Sequence, residues 1–389
     1  MEIKEKKRIA FLTFGFAFGG TEKVLSILLQ ELCEEYKLYL VLTSGIIEYP
    51  IPPNVEVEII NDGTEFDNSF LRFIKLPLLA WRYYRFCTKN QIDISFSFLN
   101  RPNYIACLTR VFGWKKKIFI SERTSTVRQY HGKDPKSLIG RFLVKKLYPK
   151  ADLIIPNSQA NVIDLKNVFK VHSNYHVIYN PINLQDIFLK KEIQLPGFED
   201  TRFTYIMLGR FVNEKDHLSL LLAFSMLPAR EHCRLILIGR GSREDTIRAK
   251  ISELGIGLNV TIIHFVSNPY NYLSMADCFV FSSLQEGFPN VVIEALGCSL
   301  PVISTDCKTG PRELLAPGTD YSVQLSDQME VAEYGILVPV KKPELMAKAM
   351  ERMYIDQALR ESYRSKALSR ARDFDTPLII EEYRSLLNR

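Results

Sequence analysis

Apolar positions along this 389-residue chain follow two alternating rhythms. Short β-branched and aromatic runs predict strands: "RIAFLTF" (8–14), "KLYLVL" (37–42), "DISFSFL" (93–99), "KIFIS" (117–121), "DLIIPNS" (152–158) and "YHVIYNP" (175–181). Helical spacing fills most of the gaps between them. In "TEKVLSILLQELCEEY", Val24, Leu25, Leu28, Leu29 and Leu32 share one face. The pattern restarts with "FTYIMLGR" (203–210), "RLILIGRGS" (234–242), "VTIIHF" (260–265), "DCFVFSS" (277–283) and "PVIST" (301–305). Strands alternating with helices predict α/β structure in doubly wound parallel sheets.

The two series meet at "NPINLQDIFLKKEIQLPGFEDTRF", which is polar, weakly periodic and punctuated by Pro181 and Pro196. A linker is expected near 183–200. The predicted layout is a Rossmann-like domain over 1–185 and a second over 200–365. A helical tail, 366–389, is expected to pack back on the first domain. Ligands of such sheets bind off the carboxyl ends of the strands, so the cleft between two facing domains is the expected site.

Three strand-end loops of the second half carry candidate chemistry. "GRFVNEKD" places Gly209, Arg210 and Lys215 between a strand and a helix. Two fixed cations there suit a diphosphate, although the loop alone reads better as an ordinary surface Arg and Lys. "GRGS", with Gly241, shows that backbone or ligand approaches closely, and a tight turn accounts for it as readily. In "LQEGFPNVVIEALG", Gly287 admits a ligand beside the backbone and Pro289 suits a helix start. Amides near Asn290 and Val291 can then hold a phosphate. Glu294, one turn into that helix, is suited to ribose hydroxyls, and Glu286, before the turn, to those of a sugar. The competing account is helix-dipole decoration, which the apolar surroundings disfavour.

Composition changes this picture little: the chain is 47% hydrophobic and 24% charged, the balance of a globular protein. Seven scattered cysteines without a C-x-x-C read as buried thiols in a reducing compartment. The basic and apolar start imitates a signal peptide. Gly15, Gly19 and Gly20 interrupt it without a cleavage site, so a first strand ending in a glycine loop is the reading adopted. No apolar run reaches about 18 residues, so no transmembrane helix is expected. Charge adds more. Residues 1–180 hold 26 Lys and Arg against 17 Asp and Glu, and 110–150 alone hold 12 against two. That stretch is either a solvated face or a surface for anionic membrane, lipid diphosphate or nucleic acid.

The segment "ADCFVFSSLQEGFPNVVIEALGCSLPVISTD" resembles the signature of the retaining glycosyltransferases of family 4, also called group 1: a glutamate, seven residues and a second glutamate. "GRFVNEKD", "LILIGRGS", "NPYNYLSMAD", "GPREL" and "YGILVPVKKPELMAKAM" follow that family's order. "GGTEKVL" looks like its N-terminal glycine loop. The resemblance covers nearly the whole chain and implies the GT-B fold, two Rossmann-like domains facing a central cleft. It implies a UDP-sugar donor as substrate, with no metal and no cofactor.

By position, the resemblance gives Arg210 and Lys215 the donor diphosphate, Glu294 the ribose and Glu286 the transferred sugar. Gly209, Gly241, Gly287 and the amides of Phe288, Asn290 and Val291 also line the donor. The backbone around His264 and Val266 faces the base, and Gly19 and Gly20 approach the diphosphate from the other domain. One departure stands out. Many relatives carry a histidine where this chain reads Ser121, Glu122 and Arg123, so Arg123 becomes a candidate acceptor or sugar contact. His131 is no positional match.

The expected acceptor is a saccharide on a polyprenyl diphosphate in bacterial surface-glycan synthesis. The protein would work in the cytoplasm, peripheral to the inner face of the membrane through 110–150. The alternatives are a nucleotide-sugar epimerase of the same fold and a non-catalytic nucleic-acid-binding protein. The paired glutamates and "GRFVNEKD" argue against the first, and the lack of a nucleic-acid-binding signature against the second.

Overall fold

A computed structural model describes residues 5–17, 19–60, 73–193, 195, 201–264 and 266–389. The chain divides into two compact units, Met1–Pro181 with Ile379–Arg389, and Ile182–Leu378. Among the described residues no helix is long and apolar enough to cross a membrane.

The first unit is built on six strands: β1 (Arg8–Thr13), β2 (Lys37–Leu42), β3 (Glu56–Ile59), β4 (Ile94–Phe98), β5 (Lys117–Glu122) and β6 (Leu153–Pro156). They lie in the order β3-β2-β1-β4-β5-β6, with every pair parallel. Both faces are covered, so β4 is buried at every position, its two serines included. One face meets Leu25, Leu28, Leu29 and Leu32 of the helix Gly20–Leu32 together with Ile379, Ile380, Tyr383 and Leu387 of the helix Thr376–Asn388.

Strand β3 has no counterpart among the predicted strands. Its four residues, EVEI, are all exposed, and Glu56 and Glu58 blunt an edge that would otherwise invite pairing. Conversely, "YHVIYNP" does not form a strand. It lies along β6 and forms one isolated bridge, Ile154 with Tyr175. Ile154 N donates to Asn174 O, His176 N to Ile154 O and Ile178 N to Pro156 O. The bond between the last two would need an N–H from Pro156, which has none, so the ladder is interrupted there.

The second unit holds β7 (Phe203–Leu208), β8 (Cys233–Ile238), β9 (Val260–Ile263), β10 (Cys278–Phe281), β11 (Val302–Thr305), β12 (Glu330–Val331) and β13 (Ile336–Val338). Their order is β12-β13-β11-β10-β7-β8-β9, and only the β12–β13 pair is antiparallel. The expected linker is partly helix. Asn183 accepts from Asp186 N at 2.8 Å and caps the helix Leu184–Lys191. Leu184 and Ile187 pack against Gly297 within this unit. Residues 194 and 196–200 lie outside the described residues. The tail also divides later than expected: Gln357–Arg372 is a helix of the second unit, and the first unit resumes only at Ile379.

Candidate active site

In the second unit the chain runs outward from β7 through β8 to β9, then returns to the other side of β7 as β10. At such a reversal the loops leaving neighbouring strands diverge and open a crevice at the carboxyl ends. The two loops here are 209–216 and 282–289, and polar bonds stitch them together. Ser282 Oγ donates to Lys215 O at 2.8 Å, and Leu284 N donates to Glu214 O at 2.7 Å.

This stitching brings Lys215 to Glu286, 71 positions later, with Nζ 2.6 Å from Oε1. The side chains keep 16% and 13% of their exposure. Ser283 Oγ lies 2.6 Å from the same Oε1 and 2.9 Å from Glu214 O, and it donates to one at a time. The Lys215 ammonium also sits 4.7 Å from the centre of the Phe281 ring. An ammonium has three donors and Glu286 takes one, so Lys215 can still serve the oxygens of an anion. Both bonds to Glu286 fall on Oε1, and Oε2 can accept from hydroxyls.

Local structure explains how this is held. Asp216 adopts a left-handed conformation, φ 46°, and its carboxylate caps the helix His217–Ser225 by accepting from Ser219 N at 3.4 Å, and it also accepts from Ser219 Oγ at 2.7 Å. His217 is buried, 3% exposed, edge-on to Phe211 at 5.0 Å. Burial, with the Lys215 ammonium second, pushes its imidazole down to about 4. Across the crevice, Thr309 Oγ1 donates to Glu286 O. Gly310, at φ +94°, lies so close beneath Phe288 and Pro289 that a Cβ would strike the proline ring.

The other expected residues of this unit lie at the same carboxyl edge. Arg210 is exposed on the loop that carries Lys215. Gly287, Asn290 and Val291 are half-buried where the helix Asn290–Gly297 begins, and its cap, Pro289, offers no side-chain oxygen. Phe288 is buried against Phe374, ring centres 5.6 Å apart. Glu294 is buried, 5% exposed. Burial and then the Glu294 carboxylate push the Cys298 thiol up to about 12.

Gly241 has a packing explanation: a Cβ there, or at Gly239, would collide with the backbone of Phe211 or Gly209. A Cβ at Gly209 would only touch the Lys215 stem at an ordinary 3.6 Å. His264 is exposed after β9, its Nε2 3.7 Å from Glu244 Oε1. Val266 is half-buried, and residue 265 lies outside the described residues.

In the first unit, Gly19 is extended at the start of the helix Gly20–Leu32, with the Glu22 carboxylate against it. Arg123 is buried, 5% exposed. It donates to Asn180 Oδ1 and Tyr383 Oη at 2.6 Å each, both inside the unit, while its buried Nε makes no hydrogen bond among the described residues. The basic stretch 110–150 is divided. Lys117 opens β5 at the amino ends of the strands, where Lys116 pairs with Asp93 at 3.2 Å. The helix Pro135–Leu147 descends from the carboxyl end of β5 back to that amino edge.

Sequence reasoning did not single out Ser283, Thr309, Gly310 or His217. The small polar pair closing "FVFSS" and the Thr-Gly before "PREL" were the available signals. All seven cysteines are free and buried. Among the described residues no group of three or more His, Cys, Asp or Glu side chains converges as a metal site would.

A family model described as Glycosyl transferases group 1 matches residues 190–370, and one described as Glycosyltransferase Family 4 matches 18–186. The chain is 35% identical over 370 residues to the N-acetylgalactosamine-N,N'-diacetylbacillosaminyl-diphospho-undecaprenol 4-alpha-N-acetylgalactosaminyltransferase of Campylobacter jejuni subsp. jejuni, spanning 95% of this chain and 96% of the relative. Among solved structures, sucrose-phosphate synthase from Thermosynechococcus elongatus aligns with a TM-score of 0.81 at 17% identity, over 98% of both chains. HepE from Anabaena in complex with UDP and glucose aligns at 0.75 and 17%, over 98% of this chain and 99% of that one. These two likenesses speak for the fold. Together with the matched domains and the full-length relative, they show that the chain belongs to the group 1, family 4 glycosyltransferases and has their GT-B architecture.

Proposed function

We propose that this glycosyltransferase moves a hexose or N-acetylhexosamine from a UDP-sugar to a saccharide carried on a polyprenyl diphosphate, during assembly of a bacterial surface glycan. The transfer retains anomeric configuration and needs no metal. The observation that carries this reading is the Lys215–Glu286 pair, 2.6 Å apart where the sheet reverses. Lys215 and Arg210 neutralise the charge that builds on the diphosphate as the bond from sugar to phosphate breaks, a task for preorganised cations. Glu286 holds hydroxyls of the sugar, the start of the helix Asn290–Gly297 faces phosphate, and Glu294 takes the ribose. The acceptor oxygen bonds to the anomeric carbon on the face the diphosphate leaves, and its proton passes to the departing phosphate oxygen.

Two comparisons support the substrates. The Campylobacter relative is named for N-acetylgalactosaminyl transfer in α-linkage to a diphospho-undecaprenol-linked acceptor, and an α-product from an α-configured UDP-sugar is retention. HepE was solved with UDP and glucose. The enzyme then works at the cytoplasmic face of the membrane, in peripheral contact through the basic stretch 110–150.

The test is a screen of UDP- and GDP-sugars with lipid-diphosphate-linked acceptors, read as nucleotide release and product linkage. UDP release that depends on acceptor, with an α-linked product and no loss in chelator, is the expected result. GDP release, an inverted linkage, or a new free UDP-sugar formed without acceptor would each overturn it.

A further inference from the structure

The helix Pro135–Leu147 shows apolar side chains on both of its faces. Its inward face is Ser137, Gly140, Val144 and Leu147, all buried. That face is seated tightly, since a Cβ on Gly140 would run into the Tyr130 ring. Arg141 fastens the preceding loop beneath it, donating to Tyr130 O at 2.7 Å and Gly132 O at 2.5 Å. The fold therefore asks nothing of the outward face. Yet Leu138 and Phe142, adjacent at a four-residue spacing, remain 54% and 60% exposed.

Cations surround this pair. Lys145 and Lys146 follow Phe142 by three and four residues and flank it on the helix surface, and both are exposed. Lys133 and Lys136 at the start and Lys150 beyond the end are exposed as well. The helix itself contains no acidic residue. Asp134, just before it, is occupied as the cap, accepting from Ser137 N at 3.1 Å and Ser137 Oγ at 2.6 Å. An apolar ridge within a cationic border suits a surface that is anionic outside and hydrocarbon beneath. A second copy of this chain would bring the same lysines against one another.

We propose that the helix Pro135–Leu147 is the element by which the first unit docks on anionic phospholipid, with Leu138 and Phe142 entering the interface. The proposal rests on the peripheral membrane contact put forward above and assigns it to one helix. It assigns that contact to the helix itself rather than to the lysines 115–117, which lie at the amino edge of the sheet where the helix ends.

The experiment is co-sedimentation of the full chain with vesicles of phosphatidylcholine, with and without phosphatidylglycerol. Wild type should sediment only with the anionic vesicles. Leu138→Ser with Phe142→Ser should lower partitioning about tenfold or more while leaving the melting temperature and UDP affinity unchanged. Lys145→Gln with Lys146→Gln should lower it too and flatten its salt dependence. Changing Lys115, Lys116 and Lys117 to Gln should matter little. Phe142→Trp should give a blue-shifted emission on adding anionic vesicles.

Undiminished binding by the Leu138 and Phe142 variant, an unshifted Phe142→Trp spectrum, or loss confined to the 115–117 variant would overturn the assignment and leave the membrane contact standing. Wild type that ignores both vesicles would overturn both, without touching acceptor-dependent UDP release. A wild-type dimer abolished by the Leu138 and Phe142 changes would assign the ridge to self-association instead.

Discussion

Two charged sites at carboxyl strand ends, one in each unit, are held in opposite ways. In the first unit, Glu122 and Arg123 close β5 and are 0% and 5% exposed. Arg123 donates to Asn180 and Tyr383 and lies 5.3 Å from the centre of the Phe98 ring. Tyr148 Oη donates to Glu122 Oε2 at 2.7 Å, and burial holds this carboxyl above its usual range despite that bond. In the second unit, Lys215 and Glu286 are partly exposed and satisfy each other. A charge whose hydrogen bonds all end inside the fold serves the fold. A partly exposed ammonium with donors to spare can serve a ligand.

Three experiments press on this contrast. Lys215→Ala should lower turnover about 100- to 1,000-fold, the usual effect of removing one stabiliser of transition-state charge. The melting temperature should barely move, because the pair borders solvent. Acceptor-dependent UDP release and a thermal melt check both, and near-normal turnover would end the diphosphate assignment.

Arg123→Met should do the reverse. It removes two bonds from a charged donor to buried acceptors, destabilising the protein by about 3 kcal/mol. UDP affinity, measured by calorimetry on the folded protein, should stay as it was. A stable variant with impaired acceptor kinetics would return Arg123 to the active site and erase the contrast.

The smallest effect is pH-dependent. His217 is held at about 4, below the usual value near 6.5. Between those values the unfolded chain binds the proton and the folded chain does not, so stability falls as pH drops. Denaturant titration should show a loss of about 2 kcal/mol between pH 7 and pH 5 that is absent in His217→Phe. An identical pH profile in the variant would show that the buried imidazole protonates without cost to the fold.

Much of the architecture was legible because it is written in local periodicity. The strand "KLYLVL" coincides with β2, and "RIAFLTF", "FTYIMLGR" and "DCFVFSS" each contain an observed strand. Where reading failed, the deciding partner was distant or the signal too short. Strand β13 has only three residues, and β3 is exposed at every position. "YHVIYNP" has strand composition, but the missing N–H of Pro156 on its neighbour interrupts the ladder. The linker segment is weakly periodic, yet the Asn183 cap and Gly297, which leaves room for Leu184 and Ile187, make part of it a helix.

By itself the sequence determined which side chains stand at strand ends and that two doubly wound units carry them. Composition and periodicity are enough for that, because a strand followed by a turn and a helix is a local instruction. The tertiary structure decided which strand ends are neighbours. Lys215 meets Glu286 only because β10 returns to the side of β7 that β8 leaves open, a choice made by sheet pairing across 71 positions. Tertiary packing likewise put Gly241 to use in loop contact and Arg123 in the interior. It also left Leu138 and Phe142 outside, once Gly140 had let the opposite face of their helix settle on Tyr130.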